Sequence, residues 1–469
     1  MTRPLRITID RAAKTPPFAQ IHGAIRNAIR EGRLAGGARL PSWRDLAAQL
    51  GVARGTVRAA YDRLTDEQLI VARGAAGTRV AARIAVAPVV GRPTEPRANA
   101  FHNFDSPPLP FQMGVPAQDA FPFKQWSRIT ARSARMAAAA PVGYPDPRGQ
   151  ADLRREIAAY LAIARGIRCT PAQILVTAGY AGALGLALRA LRLEGGAAWL
   201  EDPAFPLARR ALQLSGMTVS PIPVDQDGLD VAEGLRRTPH AAVAIVTPGQ
   251  QAPLGMTMSL ARRLALLEWA RDAGAWIIED DYLSELQLKG RATPALASLD
   301  PDGRVLHAGS FSKTITPALR LGFLVVPEQL ASSFAEAATC LAPAPAAAIQ
   351  RAVAEFMTDG HYLRHLRRMK RLYGARRDAL VTRLREAADP TIGIHATAGL
   401  SVRMELPDQA DDVDIAARAP SVGIAPVALS SWYATPPRPR GLLLGVTNVA
   451  AERLAADCAK LIGLVDQHG

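Results

Sequence analysis

The stretch Gly309-Ser310-Phe311-Ser312-Lys313, followed after six residues by Arg320-Leu321-Gly322, gathers an amine, two hydroxyls and a guanidinium within a short span. Only six of the 56 basic residues are lysines, which sets Lys313 apart from the arginine background. A lysine amine loses its proton when partly buried and then condenses with an aldehyde, which arginine cannot do. Ser310, Ser312 and Arg320 are the residue types that hold a phosphate monoester through hydroxyl and charge-assisted hydrogen bonds. An aldehyde and a phosphate on one molecule point to pyridoxal 5'-phosphate. A surface Ser-Lys turn is the bland alternative, so the elements around Lys313 must decide.

Those elements alternate strand-like and helix-like from Phe111 to about residue 330. Ile174–Thr177, Ala197–Glu201, Ala241–Val246, Trp276–Glu279, Val305–Ala308 and Gly322–Val326 are short apolar runs of the fully buried kind, with helical stretches such as Leu260–Ala273 between some of them. This predicts an α/β domain with a mostly parallel sheet and a ligand site at the strand carboxyl ends. Gly179 follows the first run in a glycine turn that opens a helix, whose free amides can hold a phosphate. Phe205 follows the second and can stack on an aromatic ring. Asp280 and Tyr282 follow the fourth, a carboxylate for a pyridinium nitrogen and a phenol for a ring oxygen. Each signal alone is weak; their convergence with Lys313 on one sheet edge is the argument.

The front of the chain is different. The formal net charge is +14, and residues 1–80 hold 14 basic against 6 acidic side chains, which makes that end a candidate polyanion binder, with a solvated basic face as the alternative. Phe18, Ile21, Ile25 and Ile29 predict a helix from about Pro17 to Glu31. Ser42 and Asp45 predict a capping box on a second short helix ended by Gly51. A third helix turns Val57, Ala60, Tyr61 and Leu64 inward and leaves Arg54, Thr56 and Arg58 at its exposed start, a helix-turn-helix spacing. Thr56 has a local alternative as a helix-start residue bonding backbone donors. Leu69–Val80 predicts a hairpin wing around a glycine turn, with Arg73 and Arg79 near phosphates or the minor groove.

No run approaches the roughly 18 apolar residues of a membrane span, and the N-terminus lacks the apolar core of a signal peptide. Cys169, Cys340 and Cys458 are too few and too scattered for a disulfide framework or a cysteine metal site, and fit a cytoplasmic protein. Pro- and Ala-rich residues 83–110 show no period and predict a flexible linker between a head at 12–82 and a body at 111–469.

Residues 16–80 resemble the GntR-type winged helix through Arg39-Leu-Pro-Ser-x-Arg44-x-Leu-Ala, Leu50-Gly-Val-x-Arg54-x-Thr56-Val-x-x-Ala60-Tyr61 and Gly77-Thr78. Tyr144-Pro-Asp146-Pro147-Arg-Gly149, Asp202-Pro203-x-Phe205, Thr247-Pro248, Pro253-Leu-Gly255, Glu279-Asp280-Asp281-Tyr282 and Ser310-Phe-Ser-Lys313 resemble fold-type I aminotransferases. The pair together is similar to the MocR subfamily of GntR regulators, and His361-Tyr-x-x-His365-x-x-Arg368-Met369 fits a helix of its smaller C-terminal α+β subdomain.

The resemblance implies a double-stranded DNA operator contacted by Arg44, Arg54, Thr56, Arg58 and Gly77. In the body it implies Lys313 as the covalent aldimine lysine, Asp280 at the pyridine nitrogen, Tyr282 at the phenolic oxygen and Phe205 on the ring. Gly179, Tyr180, Ser310, Ser312 and Arg320 would hold the phosphate, with Tyr144 reaching it from the other subunit of a homodimer. The chain departs from the pattern at Gln250-Gln251, where the family has His-Gln, at Ala181 for Gln and at Phe205 for Tyr. Aminotransferases also place Asn where Ala252 stands, and a carboxylate-clamping arginine where this chain reads Gly441-Leu-Leu-Leu-Gly445, with Arg438 and Arg440 just upstream. The expectation is therefore a regulator that senses an amine, an amino acid or pyridoxal phosphate itself through an aldimine at Lys313, without productive turnover. An active aminotransferase carrying a DNA-binding domain is the alternative.

Overall fold

A computed structural model describes residues 7–13, 15–72, 77–82, 107–141, 143–288, 293–396 and 399–467. The chain divides into two compact units, Met1–His102 and Asn103–Gly469. Most of the expected linker, 83–106, lies outside the described residues, whereas Leu109 and Pro110 are already bound into the second unit. Pro110 O accepts from Ala425 N at 2.8 Å.

In the first unit, α1 (Pro17–Arg30), α2 (Trp43–Leu50) and α3 (Arg54–Asp66) pack Ile21, Ile25, Leu46, Val57, Ala60 and Leu64 into one small core. Ser42 Oγ accepts from Asp45 N at 3.1 Å and donates to the Asp45 carboxylate at 2.7 Å, so the reciprocal bond of the box runs through side chains. Gly51 ends α2 in the left-handed region (φ 62°), where a side chain would be strained. Strands β1 (Ile70–Ala72) and β2 (Thr78–Val80) pair antiparallel as the predicted wing.

The large sheet of the second unit contains β3 (Ile174–Thr177), β4 (Ala197–Asp202), β5 (Thr218–Asp225), β6 (Gly228–Leu229), β7 (Val243–Val246), β8 (Trp276–Asp281), β9 (Val305–Ser310) and β10 (Gly322–Val325). Their order is β3-β10-β9-β8-β7-β4-β5-β6. From β9 through β5 the strands run parallel, while β10 is antiparallel to both of its neighbours. Strand β5 escaped the sequence reading because Pro221 and Pro223 interrupt it and it is only half-buried, having just the two-residue β6 beyond it.

A second, antiparallel sheet joins β11 (Ile394–Ala396), β12 (Ser401–Glu405), β13 (Val427–Ala428) and β14 (Gly441–Gly445) in the order β11-β12-β14-β13. One of its faces packs Val402, Met404, Leu442 and Leu444 against the helix His361–Ala387 and its neighbours. The opposite face carries Leu443, which joins a separate apolar cluster with Ala252 and Trp432.

Candidate functional site

Strand direction assembles the site. Strands β4, β8 and β9 end at Asp202, Asp281 and Ser310, and antiparallel β10 begins at that same edge, with Gly322 opposite both Ser310 and Thr177. Arg320, just before β10, is thereby brought beside Gly179, just after β3. The Arg320 guanidinium carbon lies 3.9 Å from where a Cβ on Gly179 would sit. Gly322 permits the approach: a Cβ there would lie 2.7 Å from Gly309 O and 3.0 Å from the Gly179 backbone.

The helix Gly179–Ala190 opens at this edge without a side-chain cap. Its first amides stand at the same edge as Ser310, Ser312 and the exposed Arg320, donor groups of the kind an anion cradle needs. Ser310 Oγ also accepts from Ser312 N at 3.1 Å, which fixes the turn into Lys313.

Lys313 Nζ donates to Gly114 O at 2.7 Å, and burial pulls its amine down to about 8 against the opposing pull of Asp280. Asp280 is buried, and burial, then Asp281 and Glu201, push its carboxyl up to about 8. No cation lies within ion-pair distance of Asp280 among the described residues. Glu201, at the end of β4, is driven to about 7 by burial, partly offset by hydrogen bonds from Thr247 and Gln251. The Tyr180 hydroxyl is buried near Asp280 without a hydrogen bond of ordinary geometry, and burial raises it well above the usual phenol range. Tyr282 is raised likewise, first by burial and then by Asp280.

Behind this front, Arg165 Nε donates to Asp281 at 2.7 Å, and His307 Nδ1 contacts Glu279 at 3.0 Å. Burial lowers the His307 imidazole, but Glu279 and Asp281 outweigh it and leave the group raised. Glu279 and Asp281 thus have ion-pair partners, whereas Asp280 has none among the described residues.

These features fit pyridoxal 5'-phosphate: an amine ready to condense, a buried carboxyl lacking a cation, and an uncapped helix start beside a guanidinium. Phe205, at the start of the helix Pro206–Leu214, lies 5.9 Å from the Trp432 ring. Trp432 itself is held over the strand ends, since Asp202 accepts from Ala434 N at 2.7 Å and Thr435 N at 3.1 Å, and Arg209 donates to Trp432 O. Tyr144 is not brought to this edge within the chain and stands fully exposed. Its loop is nonetheless fixed, because Asp146 binds both Arg148 and Arg154. Arg440 is turned onto buried Asp412 at 3.2 Å, and Arg438 onto Ala434 O at 3.0 Å.

Sequence reasoning missed Gly114, Glu201 and Trp432. Gly114 sits 199 positions from Lys313, and its only local signal is a glycine at φ +82°. Glu201 carried a signal, a carboxylate in the last turn of a buried strand.

In the first unit, Arg54 and Arg58 project from the exposed start of α3, with Arg58 loosely paired to Asp62 at 3.9 Å. Thr56 does not cap the helix: the N-cap is Ala53, which makes no side-chain bond. Arg44 is exposed and stacks over Trp43 at 4.8 Å. In the wing, Gly77 takes φ +80° against the Arg39 side chain, and Arg79 Nη1 donates to Gly37 O at 3.0 Å. Arg73 lies outside the described residues.

Residues 17–80 match the bacterial regulatory proteins of the gntR family, and residues 116–414 match aminotransferase class I and II. The chain is 34% identical to the probable rhizopine catabolism regulatory protein MocR of Rhizobium meliloti, over 94% of this chain and 92% of that one. It is 32% identical to the pyridoxine biosynthesis transcriptional regulator PdxR of Corynebacterium glutamicum, over 95% of each. Among solved structures it resembles the α-aminoadipate aminotransferase LysN of Thermus thermophilus, with TM-score 0.71, 25% identity and coverage of 79% of this chain and 95% of that one. A winged helix in front and a pyridoxal 5'-phosphate fold behind thus belong to one lineage: the chain is a member of the MocR subfamily of GntR-type transcriptional regulators.

Proposed function

We propose that this regulator binds its operator as a homodimer and senses a primary amine, an amino acid or pyridoxal 5'-phosphate itself at Lys313. The observation that carries the reading is the Lys313 amine, held on Gly114 O and lowered by burial, at the same sheet edge as the buried Asp280 carboxyl, which has no ion-pair partner among the described residues. When bound, the cofactor supplies an aldehyde that condenses reversibly with a primary amine. Lys313 Nζ would be the amine that meets this aldehyde and the point at which an effector amine would compete, with Gly114 O the acceptor within reach of the free lysine amine. Asp280 would match a positive ring nitrogen, Tyr282 would bond the phenolic oxygen, and Phe205 would cover the ring. Gly179, Tyr180, Ser310, Ser312 and Arg320 hold the phosphate, joined by Tyr144 of a second copy.

In the head, Arg44, Arg54, Thr56, Arg58, Arg73, Gly77 and Arg79 form the DNA-facing set, with the α3 residues reading base edges and the wing touching phosphates. Coupling requires that effector and operator prefer different arrangements of the dimer. Among the described residues no helix is long and apolar enough to cross a membrane, and the proposed place of action is the cytoplasm, where the DNA is.

Borohydride reduction followed by peptide mass spectrometry tests the reading. The cofactor mass is expected on the peptide containing Lys313 and is lost when a competent amine is added first. A cofactor mass elsewhere, or none, overturns it. The solved aminotransferases keep a second reading alive, that of turnover. Repeated formation of new oxo acid from an amino-acid panel with 2-oxo acid acceptors would establish that reading instead.

A further inference from the structure

The bond between Lys313 Nζ and Gly114 O joins two stretches of chain that lie outside the helices and strands, the loop after β9 and the segment Phe111–Phe121. Their meeting point therefore has to be set by what packs on them.

One face of the helix His361–Ala387 packs on both. Tyr362, His365, Met369, Tyr373 and Arg376 follow one another at steps of three or four residues, so they line a single face. The first four are almost wholly buried. On the lysine side, Tyr362 Oη donates to Thr314 Oγ1 at 3.2 Å and His365 Nε2 donates to Thr314 O at 2.9 Å. Thr314 is the next residue after Lys313 and is 1% exposed. Tyr362 also sets its ring edge-on to Phe311, with 5.9 Å between centroids.

On the glycine side, Tyr373 Oη accepts from Ala117 N at 2.9 Å. Arg376 donates to Asp119 and to Thr447 O, and Thr447 in turn donates to Val115 O. His365 touches both sides, since its ring also stands edge-on to Phe121 at 5.4 Å. Its carbonyl partner requires a proton on Nε2. Burial holds the imidazole below its usual range, and Nδ1 has no partner among the described residues, so the neutral ring serves as a fixed donor. A small shift of either stretch changes where the amine meets its reactant, and misplacement by about 1 Å can cost on the order of a hundredfold in rate.

We propose that Tyr362, His365 and Tyr373 are positioning residues for Lys313, fixing from one helix face both the loop that carries the amine and the segment that receives it. This rests on the reading that Lys313 is where the cofactor attaches.

The test follows uptake of pyridoxal 5'-phosphate by the cofactor-free full chain through its visible absorbance band, in Tyr362→Phe, Tyr373→Phe, His365→Leu and His365→Gln. The two tyrosine variants lose one hydroxyl and keep the ring. His365→Leu loses the donor, and His365→Gln restores an N–H near the place of Nε2. The uptake rate constant is expected to fall about tenfold in His365→Leu and several-fold in each tyrosine variant, with His365→Gln within about threefold of wild type. The melting temperature of each cofactor-free variant is read beside its rate, and the tyrosine variants carry the test if His365→Leu does not fold. Wild-type rates in Tyr362→Phe, Tyr373→Phe and His365→Leu overturn the inference and leave the Lys313 reading standing. Slow uptake in every variant, His365→Gln included, with melting temperatures lowered in step, also overturns it, because rate then follows the fold and not the donor. Absence of the cofactor from the Lys313 peptide of the wild type overturns the reading and the inference together.

Discussion

Lys313 Nζ and Gly114 O are hydrogen-bonded at 2.7 Å, and a Cβ added to residue 114 would lie only 2.5 Å from that nitrogen. Gly114 also sits at φ +82°, in the left-handed region. Gly114→Ala is therefore expected to cost about 1–3 kcal/mol of stability through backbone strain and to displace the amine. Denaturant unfolding of the cofactor-free protein, together with the dissociation constant for pyridoxal 5'-phosphate, measures both effects. Unchanged values would mean that the 112–114 segment does not position Lys313.

Lys313→Ala is expected to abolish the visible band of bound cofactor while leaving operator binding by the head intact in a mobility-shift assay. Lys313→Arg keeps a positive charge but cannot condense with an aldehyde, so it too is expected to show no band. A band in either variant would place the attachment on another amine.

Asp280 and Glu201 give the cofactor-free protein a pH signature. Their folded-state carboxyls stand at about 8 and about 7, well above the usual range, so between roughly pH 5 and 7 the folded state holds protons that the unfolded state has released. Stability from these groups is present at low pH and is lost as pH rises, by up to about 1.4 kcal/mol per pH unit for each. Asp280→Asn is expected to flatten the fall in melting temperature across that window. Pyridoxal 5'-phosphate is expected to do the same, by giving the carboxylate a cation to face. Parallel wild-type and variant slopes would show that Asp280 does not titrate there.

Arg54→Ala is expected to weaken operator binding on the order of 1–3 kcal/mol and to relax preference at one base pair. An equal loss on all sequences would make Arg54 a phosphate contact. Arg79→Ala is expected to act uniformly across sequences and to lower the salt slope by about 1. Because Arg79 also donates to Gly37 O, the melting temperature of the variant must be read beside its DNA affinity.

Much of this architecture was legible in the sequence because its signals are local. The caps of α2, the apolar period of α1 and the buried runs of β3, β4, β7, β8, β9 and β10 each occupy only a few consecutive residues. The edge holding Asp280, Ser310 and Lys313 could be read because strands ending together bring their following residues together. Gly114 and Trp432 were not legible, since each earns its place by contact with residues about 200 positions away. Strand β5 was hidden by its prolines. The convergence of Ala252 with Leu443 was half visible: the departure at Ala252 and the apolar run Gly441–Gly445 showed in the sequence, but their meeting in one apolar cluster needed the second sheet.

That second sheet also divides the work of recognition. Lys313, Asp280, Ser310 and Arg320 all belong to the large sheet or its immediate edge, where Gly322 is wedged against Gly309 and Gly179 with no slack. Leu443 belongs to the small sheet, and Trp432 to the loop joining its last two strands. In the proposed reading a cofactor alone would be gripped by a single rigid plate, whereas a ligand that also touched the small sheet would act as a rivet between two plates. Occupancy of the first plate and riveting of both would then be separate mechanical states, which would let one pocket distinguish the presence of its cofactor from the arrival of its signal.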